Sequence, residues 1–329
     1  MDGTVVKAGV SHEALPYASE RDFLSGALPF LREGAETGDI VLAIGGRANL
    51  GMLRERLGAA AARVEFIEDV TFYHHPARTL AQCLAFADEL AARGRRLRLL
   101  GEPIWHGRTP SEIADWQRIE AIVNVAFAGT GAAILCPYDV RSLPLAILDG
   151  ARRTHPVAVH DGEHRVNRAY MDPWAYNSII DRRPLPPPPS FAESLRIDTE
   201  DLYWLRAYIA EYGRDAALRD SAMQHLLMSV TEVATNAIRH GTPPIMLRLW
   251  TEPGDVTAEA RRDPATGMLV CEISDRGHWQ PAPGLSLVPP EPSAPGRFGL
   301  WAVRLLCSRV QVRTGLTGTT IRLHMPTAA

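Results

Sequence analysis

A single lysine, Lys7, occurs in the 329 residues, so nearly all of the positive charge is arginine. Chemistry that needs a catalytic lysine beyond the N-terminal tail is excluded, and with it the phosphate loop Gly-x-x-x-x-Gly-Lys-Ser/Thr. Gly-x-Gly-x-x-Gly is absent as well. The four cysteines, Cys83, Cys136, Cys271 and Cys307, are scattered, with no Cys-x-x-Cys and no histidine at metal spacing. That pattern argues against a zinc site or a disulfide framework and fits a reducing compartment. No apolar run approaches the roughly 20 residues that span a bilayer, and the N-terminus lacks a signal-peptide pattern. The expectation is a cytoplasmic protein with no membrane contact. A formal net charge of -3 gives no electrostatic reason to expect direct nucleic-acid binding. What is present, 46% hydrophobic and 22% charged residues, is the composition of a soluble globular chain long enough for two cores.

The first half alternates strand-like and helix-like segments. Apolar residues at helical spacing fill 19–38, followed by a buried strand over 39–44 that stops at Gly45 and Gly46. Helices over 48–62, 79–93, 111–128 and 143–152 then alternate with strands over 64–67, 97–100, 132–136 and 156–159, while 1–11 read as a tail. This order predicts a three-layer α/β domain with a mostly parallel sheet covered on both faces. Ligands of such sheets bind at the carboxyl ends of strands. The polar residues found there, Glu102, Trp105, Tyr138 and Asp139, are the candidates for contact with a small-molecule signal.

His12 with Tyr17, then Gly101-Glu102-Pro103-Ile104-Trp105, Glu120, Cys136-Pro137-Tyr138-Asp139 and His155-Pro156, taken in this order, resemble the MEDS-type sensory domains of methanogen and methylotroph regulators. The resemblance covers about residues 10–160 and implies a sensory α/β domain. His12-Glu13-Ala14-Leu15-Pro16 has the look of a histidine-kinase phospho-acceptor box, but its proline sits one residue too close and no long helical hairpin presents the histidine.

A run of prolines from Pro184 to Pro189 marks the boundary, because consecutive prolines favour an extended conformation. The expected division is a sensory domain over 1–172, a proline-rich linker over 173–195 and a second domain over 196–329. In the second domain helices are expected over 198–212 and 216–240, then strands over 244–250 and 268–274. A proline- and glycine-rich stretch over 280–296 has the length of a lid. A helix over 298–307 and a terminal hairpin turning at 315–318 complete it. Glu232, Asn236 and His240 follow one another at i, i+4 and i+8, so they share one polar face of a long amphipathic helix. A carboxylate and a carboxamide one turn apart suit a magnesium nucleotide, since Asn offers Mg²⁺ a neutral oxygen and Glu can take a hydroxyl proton.

Glu232-x3-Asn236, Asp275-x-Gly277, Gly296-x-x-Gly299 and Gly318-Thr319 resemble the nucleotide boxes of the GHKL ATPase superfamily, and most of all those of the anti-sigma serine kinases. The resemblance covers 200–329. It implies the two-layer α+β GHKL (Bergerat) fold, with ATP and Mg²⁺ as cofactors. Carried over, it makes Glu232 the general base, Asn236 the magnesium ligand and Asp275 the adenine reader beside Gly277. Gly296 and Gly299 would lie at the phosphates, where Arg239 and Arg297 could neutralise charge in place of the missing lysine, His240 and Leu300 along the nucleotide, and Thr319 would support the adenine site. Where the family has a second glycine after the Asp, this chain has Trp279, whose ring is expected to narrow the adenine pocket or swing into the lid.

Together the two resemblances imply an anti-sigma-type regulator that binds Mg-ATP and controls transcription through protein partners. These would be a sigma factor, an anti-anti-sigma (STAS-type) protein, or both, with serine phosphorylation of the antagonist as the reaction. A non-catalytic ATP-binding switch and a histidine-kinase-like protein acting on a separate partner stay open. Relatives of the kinase half often pair, so a homodimer is among the expectations.

Overall fold

The computed structural model describes residues 9–197, 202–253, 267–279, 286–290 and 298–328. The chain divides into two compact units, Met1–Asn177 and Ser178–Ala329.

In the first unit the order is β1 (Ser11–Tyr17), α1 (Glu20–Thr37), β2 (Ile40–Gly45), α2 (Arg47–Leu57), β3 (Val64–Glu68), α3 (Asp69–Phe72) and α4 (Pro76–Ala92). It continues with β4 (Leu97–Gly101), α5 (Pro110–Ala126), β5 (Ala133–Asp139), α6 (Leu145–Thr154), β6 (Val157–His160), β7 (Glu163–Val166) and α7 (Pro173–Asp181), the last of which crosses into the second unit. The strands form one sheet in the order β3-β2-β4-β5-β1-β6-β7. Every pairing is parallel except the edge hairpin of β6 and β7. The mostly parallel sheet read from the sequence is therefore present, with an edge strand, β7, added and with one interior strand more than the sequence reading provides.

That strand is β1, which lies between β5 and β6. Its polar start, Ser11-His12-Glu13, hides the hydrophobic pattern that marks the other strands. The period-2 alternation sends Leu15 and Tyr17 into the core beneath α1. His12 and Ala14 take the opposite face, where α5 packs. Local chemistry fixes the helix starts. Ser19 caps α1 by accepting from the Asp22 amide, and Thr109 with Glu112 forms a capping box at α5 with Pro110 at the first position.

The second unit runs β8 (Glu193–Ile197), α8 (Tyr203–Asp215), α9 (Asp220–His240), β9 (Ile245–Pro253), β10 (Gly267–Asp275), α10 (Phe298–Leu306), β11 (Arg309–Gly315) and β12 (Gly318–Thr327). Its antiparallel sheet has the order β11-β12-β10-β9-β8, with α8, α9 and α10 packed as a layer on one face. This is the two-layer α+β arrangement expected of a GHKL-type fold. The turn between α8 and α9 places Ala217 at φ 54°, which breaks the helix expected from 216. The apolar stripe of α9 buries Leu226, Val230 and Ala234 completely, and each fully buried Leu or Val contributes about 1.5–3 kcal/mol.

The helix-free face of this sheet carries charge. Glu272 is buried between Arg248 at 3.0 Å and Arg322 at 2.6 Å. Arg322 lies over the Trp250 ring and donates to the Pro186 carbonyl at 2.9 Å. Arg313 donates to the Arg183 carbonyl. The prolines thus lie against the sheet and are fastened to it by arginines. No helix among the described residues is long and apolar enough to cross a membrane.

Candidate functional site

The C-terminal end of α9 opens on a cavity of about 300 Å³ between α9, α10 and the strands β10 and β12. Glu232, Asn236, His240, Asp275, Gly277, Trp279, Leu300 and Thr319 line it, with Val233, Ala237, Ile273 and Ile321 supplying apolar walls. Helical period explains the first three: i, i+4 and i+8 on α9 bring them to the cavity side, next to the buried stripe. Asn236 Nδ2 donates to Glu232 Oε1 at 2.8 Å.

Strand register places the rest. Asp275 pairs with Thr319 across β10 and β12. The Asp275 carboxylate is pinned by backbone amides: Oδ1 accepts from Gly277 at 2.6 Å and from Thr242 at 3.2 Å. Its Oδ2 has no hydrogen-bond partner among the described residues. Thr319 Oγ1 donates to the Gly277 carbonyl at 3.3 Å. Bare backbone is required here. A Cβ on Gly241 would lie 2.7 Å from the Asp275 carboxyl carbon, and one on Gly318, at φ 126°, would overlap the Asp275 carbonyl oxygen. A Cβ on Gly299 would overlap Glu232 Oε1, so α10 approaches α9 closely only because residue 299 lacks a side chain.

Arg239 is exposed and does not line the cavity. Gly296 and Arg297 lie outside the described residues, as does most of the expected lid over 280–296.

In the first unit two polar clusters stand out. At the carboxyl ends of β1 and β4, Glu102 accepts from Tyr17 Oη at 2.8 Å and from Asn49 Nδ2 at 2.9 Å. Burial raises its carboxyl above the ordinary range, against the lowering effect of those hydrogen bonds. The second cluster is deeper. His12, Glu120, Cys136 and His155 are all buried, and their possible ligand atoms lie within 4.8 Å of one another. Burial, aided by the nearby His155, lowers His12 well below an ordinary histidine and keeps it neutral. Burial also holds the Cys136 thiol protonated.

Residues 11–156 match the MEDS family, the MEthanogen/methylotroph, DcmR Sensory domain. Residues 195–325 match the Histidine kinase-like ATPase domain. The chain carries both domains. No curated protein matches it significantly. Among solved structures, the RsbU and RsbW domains of a Mycobacterium tuberculosis protein share 17% identity over 41% of this chain and 34% of that one, at TM-score 0.27. The blue-light activated histidine kinase of Erythrobacter litoralis shares 18% over 37% of this chain and 40% of its own, at TM-score 0.25. Its histidine kinase domain shares 15% over 76% and 93%, at TM-score 0.23. The chain therefore spans well under half the length of the first two.

Within the MEDS domain the four candidate signal contacts part company. Glu102 joins Tyr17 and Asn49. Asp139 turns back on its own loop, accepting from the Arg141 amide and guanidinium. Trp105 and Tyr138 are buried with ring centroids 6.1 Å apart, and Tyr138 meets His155 edge-on at 5.6 Å. The Tyr138 hydroxyl and the Trp105 indole nitrogen have no hydrogen-bond partner among the described residues. No cysteine has a histidine at metal spacing along the chain, yet in the fold Cys136 Sγ lies 3.6 Å from His12 Nε2, 124 residues away. Sequence reasoning missed this cluster because each member comes from a different segment. The usable signal was the motif set itself, since all four residues stand among those that carry the MEDS resemblance; in the fold His12 and Cys136 occupy the same face of adjacent strands.

Proposed function

We propose that the ATPase domain binds Mg-ATP at the end of α9 and that the protein is an anti-sigma-type regulator of transcription. It would act through protein partners, a sigma factor or a STAS-type antagonist, by phosphorylating a serine of the antagonist. The observation that supports this reading is the convergence of Glu232, Asn236, Asp275, Gly277 and Thr319 on one cavity of about 300 Å³, at the lower end of the range for small-molecule pockets.

The residues fit the nucleotide. Asp275 keeps Oδ2 for the exocyclic amine of adenine, while its other oxygen is fixed by two amides. Gly277 leaves backbone bare where the base would lie. Asn236 supplies a neutral oxygen of the kind Mg²⁺ accepts. Glu232, one turn earlier, takes the proton from the serine hydroxyl. Bound Mg²⁺ supplies charge neutralisation at the transferred phosphoryl group. A second reading, an ATP-binding switch without transfer, draws on Trp279, which occupies the cavity wall where the family has glycine.

Incubation with γ-labelled ATP, Mg²⁺ and candidate partners tests the proposal. Acid-stable phosphoserine on a partner supports transfer, bound but unconsumed ATP supports the switch, and acid-labile phosphate supports a histidine-kinase-like reaction. Glu232→Gln should slow transfer by about 10²–10⁴-fold while ATP affinity stays within about threefold. An unchanged rate removes the catalytic assignment, and calorimetry with no heat for Mg-ATP removes the site.

A further inference from the structure

Nothing in the nucleotide reading uses the buried cluster of the MEDS domain, yet its geometry is that of a coordination sphere. Both imidazoles are held from behind. His12 Nδ1 lies 3.2 Å from Asn124 Oδ1, and His155 Nδ1 lies 2.9 Å from the Ala151 carbonyl. Asn124 is itself oriented, because its Nδ2 donates to the Thr154 carbonyl at 2.8 Å and leaves Oδ1 for the histidine. An oxygen acceptor at Nδ1 keeps the proton on that nitrogen. With Nδ1 engaged from behind, each ring presents Nε2 inward as its ligand atom.

Both Nε2 atoms face one carboxylate, and that of His12 also meets the Cys136 thiol at 3.6 Å. Glu120 Oε2 lies 3.4 Å from His12 Nε2 and 3.3 Å from His155 Nε2. Both contacts are at ion-pair distance without hydrogen-bond geometry, and Glu120 Oε2 and His155 Nε2 are buried with no hydrogen-bond partner among the described residues. Acceptors facing acceptors away from water are unfavourable unless a positive centre lies between them. The spacing fits such a centre. A tetrahedral ion with bonds of about 2.0–2.3 Å holds its ligand atoms about 3.3–3.8 Å apart. Three of the six separations, 3.3, 3.4 and 3.6 Å, fall within that range, and all six are under 4.8 Å.

We infer that His12 Nε2, Glu120 Oε2, Cys136 Sγ and His155 Nε2 bind one divalent transition-metal ion, zinc by the nature of the donors. Two imidazole nitrogens and a thiolate are too soft a set for magnesium or calcium, which take oxygen. Binding releases the thiol proton of Cys136 to solvent as the sulfur becomes a ligand. Asn124 and the Ala151 carbonyl serve as the outer partners that orient the imidazoles. The inference stands apart from the nucleotide reading, and either can fail without the other.

The test uses the full chain, purified without chelators or a metal-binding tag. Elemental analysis should find about one zinc per chain, the occupancy of a closed four-ligand site. After the metal is stripped, titration with Co²⁺ should give the visible bands of a four-coordinate ion and a near-ultraviolet thiolate-to-cobalt band. Cys136→Ser should abolish that thiolate band, and both Cys136→Ser and His155→Gln should weaken zinc at least about tenfold, with circular dichroism confirming the fold. A different transition metal, bound one per chain and lost in the same variants, also supports the site. Should a variant fail to fold, the wild-type cobalt spectrum still decides. The inference is overturned if the wild type shows no thiolate-to-cobalt band, or if both variants hold metal as the wild type does.

Discussion

The polar clusters of the two domains are built on opposite plans. In the MEDS domain His12, Glu120, Cys136 and His155 face one another across little more than the space of an atom, sealed from solvent. In the ATPase domain Glu232, Asn236 and Asp275 are half-buried and face a volume of about 300 Å³. The first arrangement leaves room for an ion and the second for an organic molecule. The means of construction differ too. Converging side chains with their backs fixed by carbonyl oxygens make the small site, while at the large one Gly241 and Gly277 line the cavity and bare backbone at Gly299 and Gly318 lets its walls approach.

If absent side chains shape the ATPase cavity, adding one is the most damaging change. Gly299→Ala would drive a methyl group into Glu232. Mg-ATP binding should weaken by about 100-fold, or about 2.7 kcal/mol, as read by calorimetry, with the metal content of the MEDS domain unchanged. Undiminished affinity would mean that the Glu232 side chain moves aside at no cost. Trp279→Gly works in the other direction. Restoring the family's glycine should tighten ATP by about tenfold, roughly 1.4 kcal/mol, and an unaltered dissociation constant would remove the indole from the adenine pocket.

A smaller effect sharpens the comparison between buried histidines. His324, in the ATPase domain, has an ordinary partner, with Nε2 3.1 Å from Gln311 Oε1, whereas His155 Nε2 has no hydrogen-bond partner among the described residues. Burial first, then Arg309 and Arg322, holds His324 well below the usual 6.5. The unfolded chain therefore takes up a proton that the folded protein refuses. Stability is full above the unfolded value and falls as pH drops below about 6.5, by up to about 1.4 kcal/mol per pH unit. His324→Gln should flatten denaturation midpoints between about pH 6.5 and 5. An unchanged slope would assign the acid sensitivity to other groups.

The ATPase domain was legible because its chemistry is local. Glu232, Asn236 and His240 lie on one helix, and the residues of Asp275-Arg276-Gly277 are neighbours at a strand end, so spacing alone put them on one face. The lining of the cavity by Trp279 was also foreseeable, since it stands two residues beyond Gly277. The MEDS domain yielded its parallel sheet but not its centre. β1 begins with polar residues that are buried only because partners from α5, β5 and the segment after α6 come to meet them, and no local pattern announces such partners. Cysteine spacing failed for the same reason: motif rules look within about 20 residues, while His12 and Cys136 are 124 apart. Residues 183–186 likewise read as a spacer, because nothing local reveals that Arg313 and Arg322 reach their carbonyls.

That fastening has a mechanical meaning. The carbonyl of Pro186 is tied to Arg322, which shares Glu272 with Arg248, and Glu272 stands three residues before Asp275 on the same strand. A pull on the proline ribbon is thus borne by the β-strand that ends at the cavity rather than absorbed by slack chain.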